Sequence, residues 1–181
     1  MNDVMVDLET LGTQAGCVIL SIGAVRFNES GLGEEFYCVV GRADSEKHGL
    51  VVDPETLAWW RRQSTEASAV LKAAQSEGAL PLRTALLDFA TWVKPRNKPR
   101  IWGNGAGFDN PLLAALYRAA GLSLPWKFWD ERCYRTLKNM FPNVMEGPRG
   151  GTYHNALDDA KHQAQHAARC LALHKSRGGA W

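Results

Sequence analysis

The sequence predicts a mixed-sheet α/β domain, and three observations carry that prediction. The runs Met5 to Leu8, Cys17 to Phe27 and Glu35 to Val40 are apolar and β-rich, and short connections containing Gly12, Gly16 and Gly31 join them. Connections that short imply antiparallel strands. The pattern then changes to helical periodicity from Pro54 onward. Finally, a short strand-like run at Arg100 to Trp102 is followed by a helical stretch, an extended stretch and a long helical stretch. Strands first, then strands alternating with helices, describe one sheet with helices against it.

The elements follow in order. In "DPETLAWWRRQ", Asp53 suits an N-cap, Pro54 the first helical position and Glu55 the first turn. Helical spacing continues through Ala67 to Ala74 and Leu82 to Val93. "RIWGNG" reads as a strand, "NPLLAALYRAAG" as a helix stopped at Gly121, and "KFWDERCY" as a further extended segment. "NALDDAKHQAQHAARCLALH" reads as a long helix whose Ala156, Ala160, Ala164, Ala167, Ala168 and Leu171 form a small-residue stripe suited to close packing on a sheet. "HKSRGGAW" reads as a loose end, giving one domain over 1–175 and a tail over 176–181.

Composition narrows the function. A chain of 181 residues, 45% hydrophobic and 22% charged, can bury one sizeable core. It has no apolar run long enough to span a bilayer and no N-terminal signal pattern, so a cytoplasmic protein without membrane contact is expected. Cys17, Cys38, Cys133 and Cys170 form no C-x-x-C pair and read as reduced thiols, not as a zinc ribbon or disulfide framework. A net charge of +2 does not by itself mark a nucleic-acid binder, so local clustering has to carry that case.

The clustering begins with "VDLETLG". Asp7 and Glu9 are two apart on a strand and project from one face near its C-terminal end. Two like charges that close repel unless solvent or a cation screens them, which makes a hard divalent metal the sensible occupant. A solvated strand end is the plain alternative. Asp109 opens the helix after the strand at Arg100, where an N-cap role would also explain it. His154 lies in a loop after the glycines of "GPRGG", and Asp158 and Asp159 open the long helix, where acids favour the macrodipole in any case. Helical phase does not choose between Asp158 and Asp159.

Taken together, "DLET", "NGAGFD" and "HNALDDA", in that order, resemble the three motifs of DEDDh-class 3′-5′ exonucleases of the DEDD superfamily, which have an RNase H-like fold. "DPETLAWWRRQS", "WGNGAGFDN" and "YHNALDDA" resemble more narrowly the small phage and bacterial proteins of the mycobacterial-type 3′-5′ exoribonuclease-like family. The resemblance implies a mixed five-stranded sheet, its first three strands antiparallel, flanked by helices. It implies Asp7, Glu9, Asp109 and Asp159 as metal ligands, and its histidine-to-acid spacing of five selects Asp159 over Asp158. Asp7 would bridge two Mg²⁺ or Mn²⁺ ions, Glu9 and Asp159 would hold the one that activates water, Asp109 would support the other, and His154 would take the water's proton. Such ions sit about 3.5–4 Å apart and serve the attacking and leaving oxygens of a phosphodiester. An imidazole of reference pKa about 6.5 suits base work near neutrality, and Gly147, Gly150 and Gly151 would let its loop approach substrate.

Thr10 and Leu11 fall where family members contact the terminal nucleotide, and Asn104 and Phe108 of the second motif join them as substrate contacts. Trp59 and Trp60 are adjacent on a helix and point about 100° apart, so one should be core. The other, beside Arg61 and Arg62, could stack on a base; Trp60 is carried among the substrate contacts while the choice stays open. His162 and His166, one helical turn apart, read as a wet helix face and not a zinc site.

The expected function is a 3′-5′ exonuclease acting on single-stranded ends or 3′ overhangs of RNA, or less favourably DNA, and releasing nucleoside 5′-monophosphates. The alternatives are an exodeoxyribonuclease, a silent nucleic-acid-binding module of the same fold, and an enzyme confined to mononucleotide esters or short oligonucleotides. The resemblance also implies a homodimer.

Overall fold

In the computed structural model, the described residues are 1–94 and 98–179. They form a five-stranded sheet of order β3-β2-β1-β4-β5. β1 (Asp3–Thr10), β2 (Ile19–Asn28) and β3 (Gly31–Val39) are antiparallel, while β4 (Arg100–Gly103) and β5 (Glu131–Cys133) run parallel to β1. The helices are α1 (Arg42–Lys47), α2 (Pro54–Trp60), α3 (Thr65–Ala73), α4 (Leu82–Val93), α5 (Asp109–Ala119), α6 (Tyr134–Met140) and α7 (Ala156–Ser176).

Strand alternation divides the core in two. Val4, Val6 and Leu8 of β1 face a large cluster with Leu82, Leu86, Phe89, Leu112 and Leu116 of α4 and α5. Met5 faces the other way, into a cluster with Val25, Phe27, Trp102 and the alanines of α7. By the same period of two, Asp7 and Glu9 share Met5's face, the one that α7 covers. Ala156, Ala160, Ala164 and Ala167 are fully buried there, as the stripe predicts. Because both faces are covered, β1 and β2 are buried almost throughout, whereas edge strand β3 exposes Gly33, Glu34, Glu35 and Tyr37.

Several expectations change. The segment from Lys127 to Tyr134 is a 3₁₀ turn at Phe128–Asp130, the three-residue β5, and then the start of α6, which periodicity had not revealed. Short α1 was also not expected. The end of the chain is less loose than its composition suggests: α7 runs to Ser176, so His174 and Lys175 are helical, and the last two positions of the expected tail lie outside the described residues. His166 is not on a wet face. It is buried, with Nδ1 at 2.9 Å from the Tyr134 hydroxyl and Nε2 at 2.7 Å from the Val144 carbonyl, and His162 faces Glu146. Cys17, Cys38 and Cys170 are buried free thiols, and Cys133 is a half-buried one. No helix among the described residues is long and apolar enough to cross a membrane.

Candidate active site

The site is assembled where β1 runs out of partners. Pairing with β2 keeps register through Glu9↔Ser21 and shifts before Thr10↔Ile19, a bulge that re-aims the chain at the strand's end. The Thr10 hydroxyl donates to the Gly12 carbonyl at 2.6 Å, and the Trp60 indole donates to the Thr10 carbonyl at 2.8 Å. Trp60 is therefore a buried wall of the site, 1% exposed, and Trp59 is the tryptophan with free surface, 37% exposed. α2 holds both rings, and its start is the predicted one: the Asp53 carboxylate accepts from the Glu55 amide at 3.0 Å and the Thr56 hydroxyl at 2.6 Å.

Two glycines admit the remaining acids. Gly23 pairs with Asp7 across the β1–β2 ladder, and a Cβ on it would lie 2.2 Å from the backbone at Ala156 and Leu157. Only a glycine lets the N-terminus of α7 lie on the sheet beside Asp7. Gly103 ends β4, and a Cβ there would come within 2.9 Å of the Asp109 Cβ. Asp109 is the first residue of α5 and not its N-cap, which is Phe108. Its buried carboxylate instead accepts from the Asn104 amide at 2.7 Å, tying down the preceding turn.

α7 resolves the ambiguous pair of acids. Asp158 turns back to accept from the Thr152 amide at 2.8 Å, while Asp159 faces the cleft. Ligand atoms of Glu9, His154 and Asp159 all lie within 4.8 Å of one another. One turn beyond Asp159, Gln163 donates to Asp7 at 2.7 Å. Sequence reasoning missed Gln163, although its position four residues after Asp159 puts it on the same face. It also missed Arg149, which forms an ion pair with Asp159 and stacks 4.0 Å over the Tyr153 ring.

The cleft has a volume of about 650 Å³ and is lined by Asp7, Glu9 and Asp159 together with Trp59, Arg62, Phe108 and His154. Thr10 also lines it, whereas Leu11 is fully buried in the core and Asn104 reaches the site through its backbone amide. The His154 ring packs edge-on against Trp59 at 5.0 Å and Trp60 at 6.0 Å. Gly147, Gly150 and Gly151 lie upstream of His154 on the same loop. The Thr152–Asp158 hydrogen bond lies between them and His154, which is itself held at a left-handed φ of 59°.

Electrostatics follow from crowding. Burial, then Asp109 and Glu9, raise the Asp7 carboxyl well above its ordinary value. Burial, then Asp109, raise Glu9 to about 8 against the opposing charge of Arg149. Burial raises Asp109 to about 6, against hydrogen bonds from the backbone at Asn104, Asp109 and Leu8. The His154 imidazole goes the other way, lowered by burial and then by Arg149, so it stays neutral at neutral pH. Glu9 Oε1 is buried without a hydrogen-bond partner among the described residues. Hard oxygen ligands, one of them without a partner, on carboxyls that resist ionising alone suit a divalent cation.

A sheet of this order, with carboxylates at the end of its first strand and a histidine on the loop before its last helix, fits the class of DEDD-superfamily 3′-5′ exonucleases, to which the family match assigns the chain. The chain belongs to the family of the 3′-5′ exoribonuclease Rv2179c-like domain, whose sequence model matches residues 2–171. It is a 3′-5′ exonuclease. An exodeoxyribonuclease of Enterobacteria phage T4 is 26% identical over 161 residues, covering 75% of this chain and 70% of that protein. Among solved structures, exonuclease X in complex with 5′ overhanging duplex DNA aligns at TM-score 0.59 and 16% identity, over 98% of this chain and 94% of that one. The Mg²⁺- and Mn²⁺-bound form of S. pombe Pop2p aligns at 0.59 and 15%, over 97% and 83%. The nuclease domain of 3′hExo, a DEDDh family member bound to rAMP, aligns at 0.58 and 12%, over 97% and 92%.

Proposed function

We propose that this exonuclease removes nucleotides singly from the free 3′ end of single-stranded RNA or of single-stranded 3′ extensions, releasing nucleoside 5′-monophosphates with the aid of two divalent ions, Mg²⁺ or Mn²⁺. The observation that carries the proposal is the convergence of Glu9, His154 and Asp159 within 4.8 Å, beside half-buried Asp7 and buried Asp109. Asp7, Glu9, Asp109 and Asp159 would hold the ions, which when bound supply positive charge to the attacking and leaving oxygens of the phosphodiester.

The remaining work falls to the chain. His154, neutral and braced by Trp59, would accept the proton of the attacking water at an unprotonated ring nitrogen. Gln163 fixes the orientation of Asp7 by holding one of its oxygens. Trp59 would offer a ring face to a base and Arg62 a charge to a phosphate, since both line the same cleft as the acids. Thr10 and Phe108 would border the terminal nucleotide.

The family's exoribonuclease description favours RNA, while the phage relative named as an exodeoxyribonuclease favours DNA as the second reading. Labelled RNA and DNA of identical sequence, offered with either end blocked and as circles, separate these. RNA shortening one nucleotide at a time from an open 3′ end, with 5′-monophosphates as product and circles surviving, is the expected result. Faster loss of DNA transfers the proposal to the second reading, and nicking of circles by wild type but not by an Asp7→Asn variant overturns the exonucleolytic mode.

A further inference from the structure

Arg149 sits among the carboxylates that the proposed ions require. Its guanidinium forms an ion pair with Asp159 and lies 4.0 Å over the Tyr153 ring. Yet the seating is incomplete, since Arg149 Nε is buried with no hydrogen-bond partner among the described residues. A permanent arginine–carboxylate link normally satisfies its donors, because a buried unpaired N–H costs about 1–3 kcal/mol.

Arg149 itself is held by Asp159 and by the Tyr153 ring, and the main chain on either side of it is anchored. Upstream, the Arg169 guanidinium donates to the carbonyls of Met145, at 3.2 Å, and Glu146. Downstream, Asp158 holds the Thr152 amide at 2.8 Å, and Gly151 lies so close to Asp158 that a Cβ would fall 2.3 Å from its carboxyl carbon. Between these anchors runs Gly147-Pro148-Arg149-Gly150-Gly151, where Gly147 and Gly151 have φ of 76° and 78° and Gly150 has open space around it. A swing of this segment would part Arg149 from Asp159 and Tyr153 while leaving the Thr152–Asp158 anchor, and α7 and His154 beyond it, in place.

We infer that Arg149 is the internal counter-ion of the acidic cluster in the metal-free enzyme, and that residues 147–151 swing it away from Asp159 when divalent ions enter. The inference rests on the proposed metal site. A single guanidinium cannot balance four carboxylates, and its charge would repel an ion bound at the same oxygens. Arg149 therefore lowers metal affinity while keeping the empty site intact.

Two measurements without substrate test this. Calorimetric titration with MnCl2 should show Arg149→Gln binding Mn²⁺ roughly tenfold or more tightly than wild type, since removing a cation a few ångströms from a divalent ion lifts a repulsion of that order. In wild type, Mn²⁺ should speed tryptic cleavage at the Arg149–Gly150 bond. Unchanged or weaker Mn²⁺ affinity in Arg149→Gln would mean that Arg149 instead supports Asp159 permanently, or acts elsewhere, and overturns the inference. Cleavage at Arg149 that is unaffected or slowed by Mn²⁺ overturns it too, and needs no variant to fold. If wild type binds no Mn²⁺ at all, the metal-site reading itself falls; if it binds but the variant matches it, only the counter-ion is lost.

Discussion

The two sides of the cleft are built differently. Asp7, Glu9 and Thr10 sit on a strand whose ladder with β2 fixes their direction, and Trp60 pins the Thr10 carbonyl from a helix with a strong N-cap. His154 and Arg149 sit on the irregular stretch 141–155, tied at separate points by Arg169 and Asp158. One side is set by regular hydrogen bonding, the other by a few side-chain anchors. The rigid side carries the groups whose geometry must be permanent, and the anchored side carries groups that must exchange protons or yield their place.

The largest effect should come from the rigid side. Asp7→Asn keeps an acceptor for Gln163 but removes the charge at the centre of the cluster. Hydrolysis should vanish at any Mg²⁺ or Mn²⁺ concentration, while the metal-free variant melts higher than wild type because a buried repulsion is gone. Normal turnover would break the assignment of this side as the metal platform. On the anchored side, His154→Ala should lose roughly 10²–10⁴-fold in rate, the usual range for a general base, with Mn²⁺ affinity kept. The wild-type rate should fall on the acid side at a pH below the imidazole's ordinary 6.5, because burial and Arg149 lower its pKa. A variant within a few-fold of wild type would reduce His154 to a loop residue.

The adjacent tryptophans sharpen the comparison within one helix. Trp60→Ala removes a buried ring and its hydrogen bond to Thr10, and should cost about 3–5 kcal/mol of stability in chemical denaturation. Trp59→Ala should leave stability nearly unchanged but raise KM for single-stranded substrate, since stacking on an exposed ring contributes about 1–3 kcal/mol per base. Equal stability losses in the two would show that both rings serve the core.

The last comparison is one of pH on the metal-free protein. Glu9 moves from 4.5 in the unfolded chain to about 8 in the folded one, and Asp109 from 3.8 to about 6. With raised folded values, the native state binds more protons than the unfolded state across these intervals. Stability is then greatest below the ordinary carboxylate range and is lost as pH rises through about 6 and about 8. Thermal melts in chelator should fall from pH 5 to pH 8, and Mn²⁺ should remove most of that slope. A flat profile would show that the cluster ionises freely and that the rigid side holds no stored repulsion.

The sequence by itself determined the three opening strands, though not their exact ends, the start of α2, the alanine stripe of α7 and the acids at their motif positions. Each of these depends on neighbours within a few residues, where periods of 2 and 3.6 and capping chemistry act. The face that Asp7 and Glu9 share was also legible, because alternation from Met5 dictates it. Only the tertiary structure decided that Trp59 and not Trp60 keeps a free surface, that Leu11 is core, that Asp158 ties the loop, and that Gln163 and Arg149 reach the acids. These outcomes turn on contacts across long stretches of chain. Gly23 shows why: in sequence it is one small residue in a strand, yet its missing Cβ is what lets α7 lie against β2 beside Asp7.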